Sequence, residues 1–185
     1  TDDAIVIDAL PPAVVAAFAP NTGNGTATET PVAAATPTAA VEPVQIDIYV
    51  VYRAESSAAF RTSNAAQLAD WVNAGAANSA YHPVALLTTK SNGTKYSLRA
   101  ANAAICVATL EPDTFFTFTH EMLAQRPDVD TDGHSDAQLA ALAIAANAQD
   151  PKKLRACIED QRFATWVQEA TSRALSTPIG QTGEP

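Results

Sequence analysis

Glycine is scarce, at 7 of 185 residues, and none clusters ahead of a helical stretch, so the chain carries neither a phosphate-cradling loop nor a dinucleotide fingerprint. Lys and Arg are missing from residues 1–50, which hold six acidic side chains, while residues 51–185 hold fourteen acidic and eleven basic ones. With a net charge of -9, the chain lacks the basic footprint of a nucleic-acid binder, and its N-terminal stretch would be repelled by anionic phosphate or lipid. Long apolar runs are missing too. The longest, Ala13 to Ala19, follows two prolines and falls far short of the roughly 20 residues needed to span a bilayer. A membrane span is therefore excluded for the sequence as it stands, whereas a signal or anchor removed ahead of Thr1 is not. Aromatics make up only 6%, and 40 alanines supply much of the 47% hydrophobic content. No G-x-S-x-G elbow supports acyl transfer.

What is present divides unevenly. Residues 4–10 form a short apolar run that fits a strand, within an N-terminal segment 1–10. Residues 11–43 are rich in Pro, Ala and Thr with almost no large side chains, the composition of an extended linker that cannot offset its own ordering entropy. From Val44 the pattern sharpens. VQIDIYVVY (44–52) alternates and is β-branched, a strand signature. Ser56 or Ser57 then offers a helix N-cap, Phe60, Ala65, Leu68, Trp71 and Val72 recur at helical spacing, and Gly75 fits a left-handed stop. A second strand is expected over 79–89, giving a parallel βαβ unit within 44–90. A helical domain over 91–175 follows, with helices expected at 96–110, 112–125, 135–148, 151–160 and 163–175, and a capping box from Ser135 and Gln138. Residues 176–185 form a turn-rich tail.

Few residues point to chemistry. Asp128, Asp130, Asp132 and Asp136 match the spacing at the start of an EF-hand loop, with Gly133 at its sixth place. Ser135 and Leu139 stand where that loop needs a β-branched apolar residue and a bidentate glutamate, so calcium is a weak candidate beside a solvated acidic loop. His82, His120 and His134 are scattered without partners at i+3 or i+4, and His120-Glu121 has no second histidine for a zincin site. Asn92-Gly93-Thr94 fits a glycosylation sequon but also a plain turn. Trp71, Phe115, Phe116, Phe118, Phe163 and Trp166 are expected in the core, with one of the crowded phenylalanines left at an interface. Cys106 and Cys157 alone fit two independent buried thiols as well as a bond.

The strings IDIYVVY (46–52), NAAQLADWVNAG (64–75), HPVALL (82–87), SNGTKYSLRAANAAICVA (91–108), DAQLAALA (136–143) and ACIEDQRFATWVQEAT (156–171) occur here in order. Through them the chain resembles the DsbA-like branch of the thioredoxin superfamily, especially its secreted or membrane-anchored actinobacterial forms. That resemblance implies an α/β fold: a thioredoxin-like βαβ unit with an inserted helical domain. It also implies a C-terminal cis-Pro strand region, which the sequence to Pro185 lacks, so the expected sheet has an open edge that more chain or another body would fill. By the same resemblance Cys106 and Cys157 pair as a disulfide stapling the helical domain, which implies an oxidising, extracytoplasmic compartment.

The family's C-x-x-C pair would fall at the start of the first helix, where backbone N–H groups and the helix dipole lower a thiol pKa. Here Ala54, Glu55, Ser56 and Ser57 occupy that place. Alanine is no nucleophile, and a serine hydroxyl cannot form a disulfide. The expectation is thus a non-catalytic, extracytoplasmic accessory or structural subunit of a cell-envelope membrane complex, without cofactor, nucleic acid or small-molecule substrate. The rival expectations are a DsbA-like thiol–disulfide oxidoreductase represented by an altered or incomplete chain, and a soluble peptide- or calcium-binding module.

Overall fold

A computed structural model describes residues 3–18 and 42–176. Strand β1 (Ile5–Ile7) is followed by helix α1 (Pro12–Phe18), β2 (Val44–Val50), α2 (Glu55–Asn73) and β3 (Ala77–Pro83). Helices α3 (Tyr96–Leu110), α4 (Phe115–Ala124), α5 (Asp136–Ala145), α6 (Pro151–Glu159) and α7 (Ala164–Ser176) complete it, with a 3-10 turn at Pro112–Thr114 leading into α4. The three strands run in the order β1-β3-β2. β2 pairs parallel with β3 from Val44 opposite Ala77 to Val50 opposite Pro83, and α2 forms the crossover. β1 joins the other side of β3 antiparallel, Ile5 opposite Tyr81 and Ile7 opposite Ser79, so the N-terminal segment belongs to the same sheet.

The helical domain is built around α3. Its residues from Tyr96 to Val107 are buried without a break, all round the helix. An apolar stripe would bury one face only, so this helix must be enclosed by neighbours, and α4, α5, α6 and α7 all pack on it. Ala100, Ala101, Ala103 and Ala104 make that possible, because small side chains let several helix axes approach at once. Much of the alanine content has this structural use.

Local chemistry explains the ends of several helices. Ser135 accepts from the Gln138 N–H while the Gln138 side chain accepts from the Ser135 N–H, the reciprocal box that starts α5. Asp150 caps α6 ahead of Pro151. Gly75, at φ +66°, follows the end of α2 in the left-handed region that favours glycine.

Four expectations are corrected. The stretch read as linker begins with a helix: Pro11-Pro12 sets the first turn of α1, and Val14 and Phe18, four residues apart, face the core. The rest of that expected linker, residues 19–41, lies outside the described residues, as does the tail beyond Ser176. Neither Ser56 nor Ser57 caps α2; Ala54 holds the N-cap position without a side-chain bond. The buried face of α2 is Ala58, Arg61, Ala65, Leu68, Ala69 and Val72, which turns Phe60 and Trp71 outward, each 43% exposed. Finally, none of the three crowded phenylalanines is left at the surface. Phe115 packs edge-on to Tyr81, Phe116 edge-on to Phe18 of α1, and Phe118 is fully enclosed. The helix that composition alone had hidden provides the cover.

Candidate functional site

Strand β2 ends at Val50, and the chain passes through buried Val51, Tyr52 and Arg53 before α2 begins. Each of these anchors the turn. The Tyr52 hydroxyl pairs with the Thr119 hydroxyl of α4 at 3.2 Å. Burial pushes the Tyr52 phenol far above its ordinary range, so it stays protonated. Arg53 donates to the carbonyls of Lys90 at 2.7 Å, Asp128 at 2.5 Å and Thr131 at 3.0 Å. It also lies 4.9 Å from the centre of the Tyr96 ring.

Ala54 is extended, at φ -76° and ψ 133°, and its side chain is a methyl group. Glu55 and Ser56 are exposed on the first turn, and Glu55 gains from the positive end of the helix dipole. Ser57 is half-buried, and its Oγ accepts the Val51 N–H at 3.2 Å. The serine therefore closes the strand-to-helix turn. This geometry can present backbone N–H groups to an anion or a peptide, but it holds no sulfur.

The two cysteines are elsewhere. A disulfide joins Cys106 of α3 to Cys157 of α6, with Cα atoms 5.9 Å apart, and both residues are buried. No cysteine is free among the described residues. Asn102, one turn from Cys106, ties the same pair of elements: it donates to the Ile158 carbonyl at 3.3 Å and accepts from the Phe163 N–H at 2.8 Å.

The acidic loop is occupied with structural work. Asp128 offers its carbonyl to Arg53, and Asp132 accepts from Asn92 at 3.0 Å and, through its carbonyl, from Thr94 at 2.5 Å. Asp136 pairs with Arg99 at 2.9 Å. Leu139, at the twelfth place of the calcium pattern, is fully buried. Among the described residues no group of three or more His, Cys, Asp or Glu side chains is placed to hold a metal ion. The expected calcium spacing has become a clasp between the βαβ unit and the helical domain.

The histidines are as dispersed as their spacing implies. His82 bonds Asp47 at 2.9 Å and stacks on Tyr49 with ring centres 4.5 Å apart, across the β2–β3 pair. The hydrogen bond from His82 holds the Asp47 carboxyl below its ordinary range. His134 bonds the Gln125 carbonyl at 2.7 Å, and His120 packs edge-on against Phe18.

A cleft of about 230 Å³ opens beside this turn. It runs along Asp47, Tyr49 and the rest of β2 to Ser56 and Ser57, with Phe60 and Arg61 of α2 on its other side. Sequence reasoning missed Arg61. Its signal was the interval Ala58, Arg61, Ala65, Leu68, Val72, a core stripe with one cation in it.

A strand-helix-strand unit that leads through a tight turn into its helix, with a helical domain following the last strand, defines a thioredoxin-like protein of the DsbA type. The chain belongs to the thioredoxin family: the family profile described as Thioredoxin matches residues 37–182. Solved structures agree on the fold. DsbA from Mycobacterium tuberculosis in its reduced form superposes with a TM-score of 0.70 at 21% identity, covering 96% of this chain and 79% of that one. The reduced disulfide bond oxidoreductase DsbG of the same organism gives 0.69 at 21% identity, covering 95% and 74%. MdbA, a thiol–disulfide oxidoreductase from Actinomyces oris, gives 0.58 at 18% identity, covering 80% and 71%. Comparison with curated protein sequences gave no match.

Proposed function

We propose that this is a non-catalytic, DsbA-like protein of the extracytoplasmic space that acts by contact, as an accessory subunit of a cell-envelope membrane complex. One observation carries the loss of catalysis: Ala54 and Ser57 hold the two places where exchange chemistry needs sulfur, and Ser57 is already bonded to the Val51 N–H. The buried Cys106–Cys157 disulfide is no substitute, since neither sulfur is open to a thiolate. That disulfide supports an oxidising compartment. A role by contact draws support from the open side of β2 and from Phe60 and Trp71, two large side chains that α2 turns to solvent. No described helix is long and apolar enough to cross a membrane, so the membrane belongs to the partner in this reading.

The test is multiple-turnover oxidation of a dithiol peptide. The protein is expected to show none, and an A54C/S57C variant to gain the reaction on the same scaffold. Turnover by the unaltered protein would restore the oxidoreductase reading and remove this one. A mild-detergent membrane extract, fractionated by size, tests the second half: migration with a large complex supports a subunit, and migration at the protein's own mass rejects it.

A further inference from the structure

Arg61 is a cation in the core. It is 3% exposed, and none of the ion pairs among the described residues includes it. One terminal nitrogen donates to the Phe116 carbonyl at 3.2 Å and the other reaches the Tyr81 hydroxyl at 3.5 Å, while Nε has no hydrogen-bond partner. The guanidinium lies 3.7 Å from the centre of the Phe116 ring and 5.4 Å from that of Phe18. Aromatic faces attract a cation but leave its in-plane donors unused, and a guanidinium has five of them. A buried, permanently charged group short of both an anion and a donor partner is costly to keep.

The same side chain lines the cleft beside β2. On one side β2 is paired with β3 along its whole length; on the other, no described strand pairs with it. Its free edge therefore offers alternating N–H and C=O groups at the mouth of a cleft with an unpaired guanidinium within. The other charged group there, Asp47, is already engaged by His82 at 2.9 Å.

We propose that this cleft receives an extended peptide segment of a partner protein, which adds to the free edge of β2 and places a carboxylate side chain on Arg61. An extended backbone satisfies the strand edge, alternate side chains fall towards Tyr49 and Phe60, and the carboxylate fills the donor positions that Phe116 and Tyr81 leave open. The inference gives a surface and a chemistry to the contact role proposed above, and rests on it. It involves no thiol, so dithiol turnover would overturn that role without deciding this site, and the experiment below decides the site alone.

The probe is a dye-labelled, blocked hexapeptide of alternating threonine and valine with one central glutamate, titrated against the whole protein by fluorescence anisotropy. Its control replaces the glutamate with glutamine, equal in shape but uncharged. The glutamate peptide is expected to saturate and to bind at least about tenfold more tightly than the glutamine peptide. Slowed hydrogen exchange at residues 47–50 should accompany binding, and R61Q should bring the two peptides level. Equal affinities for the unaltered protein, or no binding at millimolar peptide, overturn the proposal. Should R61Q not fold, the glutamate–glutamine comparison on the unaltered chain decides by itself.

Discussion

Gly133 shows at the scale of one residue why the acidic loop is not free to act as a ligand site. It sits at φ +72°, and a Cβ built there would lie 2.4 Å from Cγ of Tyr96 and 2.8 Å from a terminal nitrogen of Arg53. Tyr96 is fully buried at the start of α3, and Arg53 is fixed by three carbonyls, so neither can give way cheaply. G133A is therefore expected to destabilise the fold by about 2–4 kcal/mol, combining left-handed backbone strain with overpacking. Urea unfolding monitored by tryptophan fluorescence checks this. A change below about 0.5 kcal/mol, the size typical of a neutral surface site, would mean that the clasp is loose. Single residues also set the limit of what sequence discloses. The replacement of sulfur at Ala54 and Ser57 is readable without coordinates, because the flanking strings fix the position. The choice between Phe60 and Arg61 is not. The two are neighbours, about 100° apart on the helix, and hydropathy points to Phe60 for the core. The structure turns Arg61 inward because Phe116 and Phe18 supply aromatic faces for it, and those lie far away in sequence.

At the scale of elements, α3, α5, α6 and α7 were legible to within a few residues, since each carries a long apolar pattern and α5 and α6 carry explicit caps. Strand β3 was expected over 79–89 and observed over Ala77–Pro83; the residues after Pro83 leave the sheet, and Val84 keeps a single bond to the Val50 carbonyl. Helix α1 was invisible because seven helical residues open a long Pro- and Thr-rich stretch whose average conceals them. What no local pattern conveys is how α3 is held to α6. Their disulfide closes a loop of 51 residues, which constrains the unfolded chain by roughly 2–4 kcal/mol in the chain-entropy account. The C106A/C157A double variant should lose about that much, seen as a lower denaturant midpoint with an unchanged slope. A loss near zero would show that the packing of Leu154, Ile158 and the α3 alanines holds the pair of helices without the bond.

The whole molecule is expected to weaken with acid in two stages, through groups on different parts of the fold. Burial, chiefly, and then the nearby Arg61 charge hold His120 below its ordinary value of 6.5, only partly offset by Glu121. The unfolded chain then binds a proton that the folded one resists. This makes the His120 contribution complete above pH 6.5 and diminishing as pH falls from there through the folded-state pKa. The second stage belongs to carboxylates. Asp3 is held below its ordinary 3.8 by its hydrogen bonds from Arg173, Asp47 by that from His82, and Asp150 by that from Lys153. For these the folded state is the stronger acid, so their stabilisation is present above about pH 4 and is lost as pH drops through their depressed values. Two of them join distant parts of the chain, since Asp3 precedes β1 and Arg173 lies in α7, while Asp47 and His82 bridge β2 to β3. Unfolding free energy measured from pH 8 to pH 2 should therefore decline first below pH 6.5 and again below pH 4. H120Q should flatten the first decline and leave the second, whereas D3N should weaken the second and leave the first. A first decline that persists in H120Q would locate it in another group and remove the buried, neutral His120 from the account. A second decline unchanged by D3N would mean that the bond between the N-terminal segment and α7 is too exposed to solvent to matter for the stability of the fold.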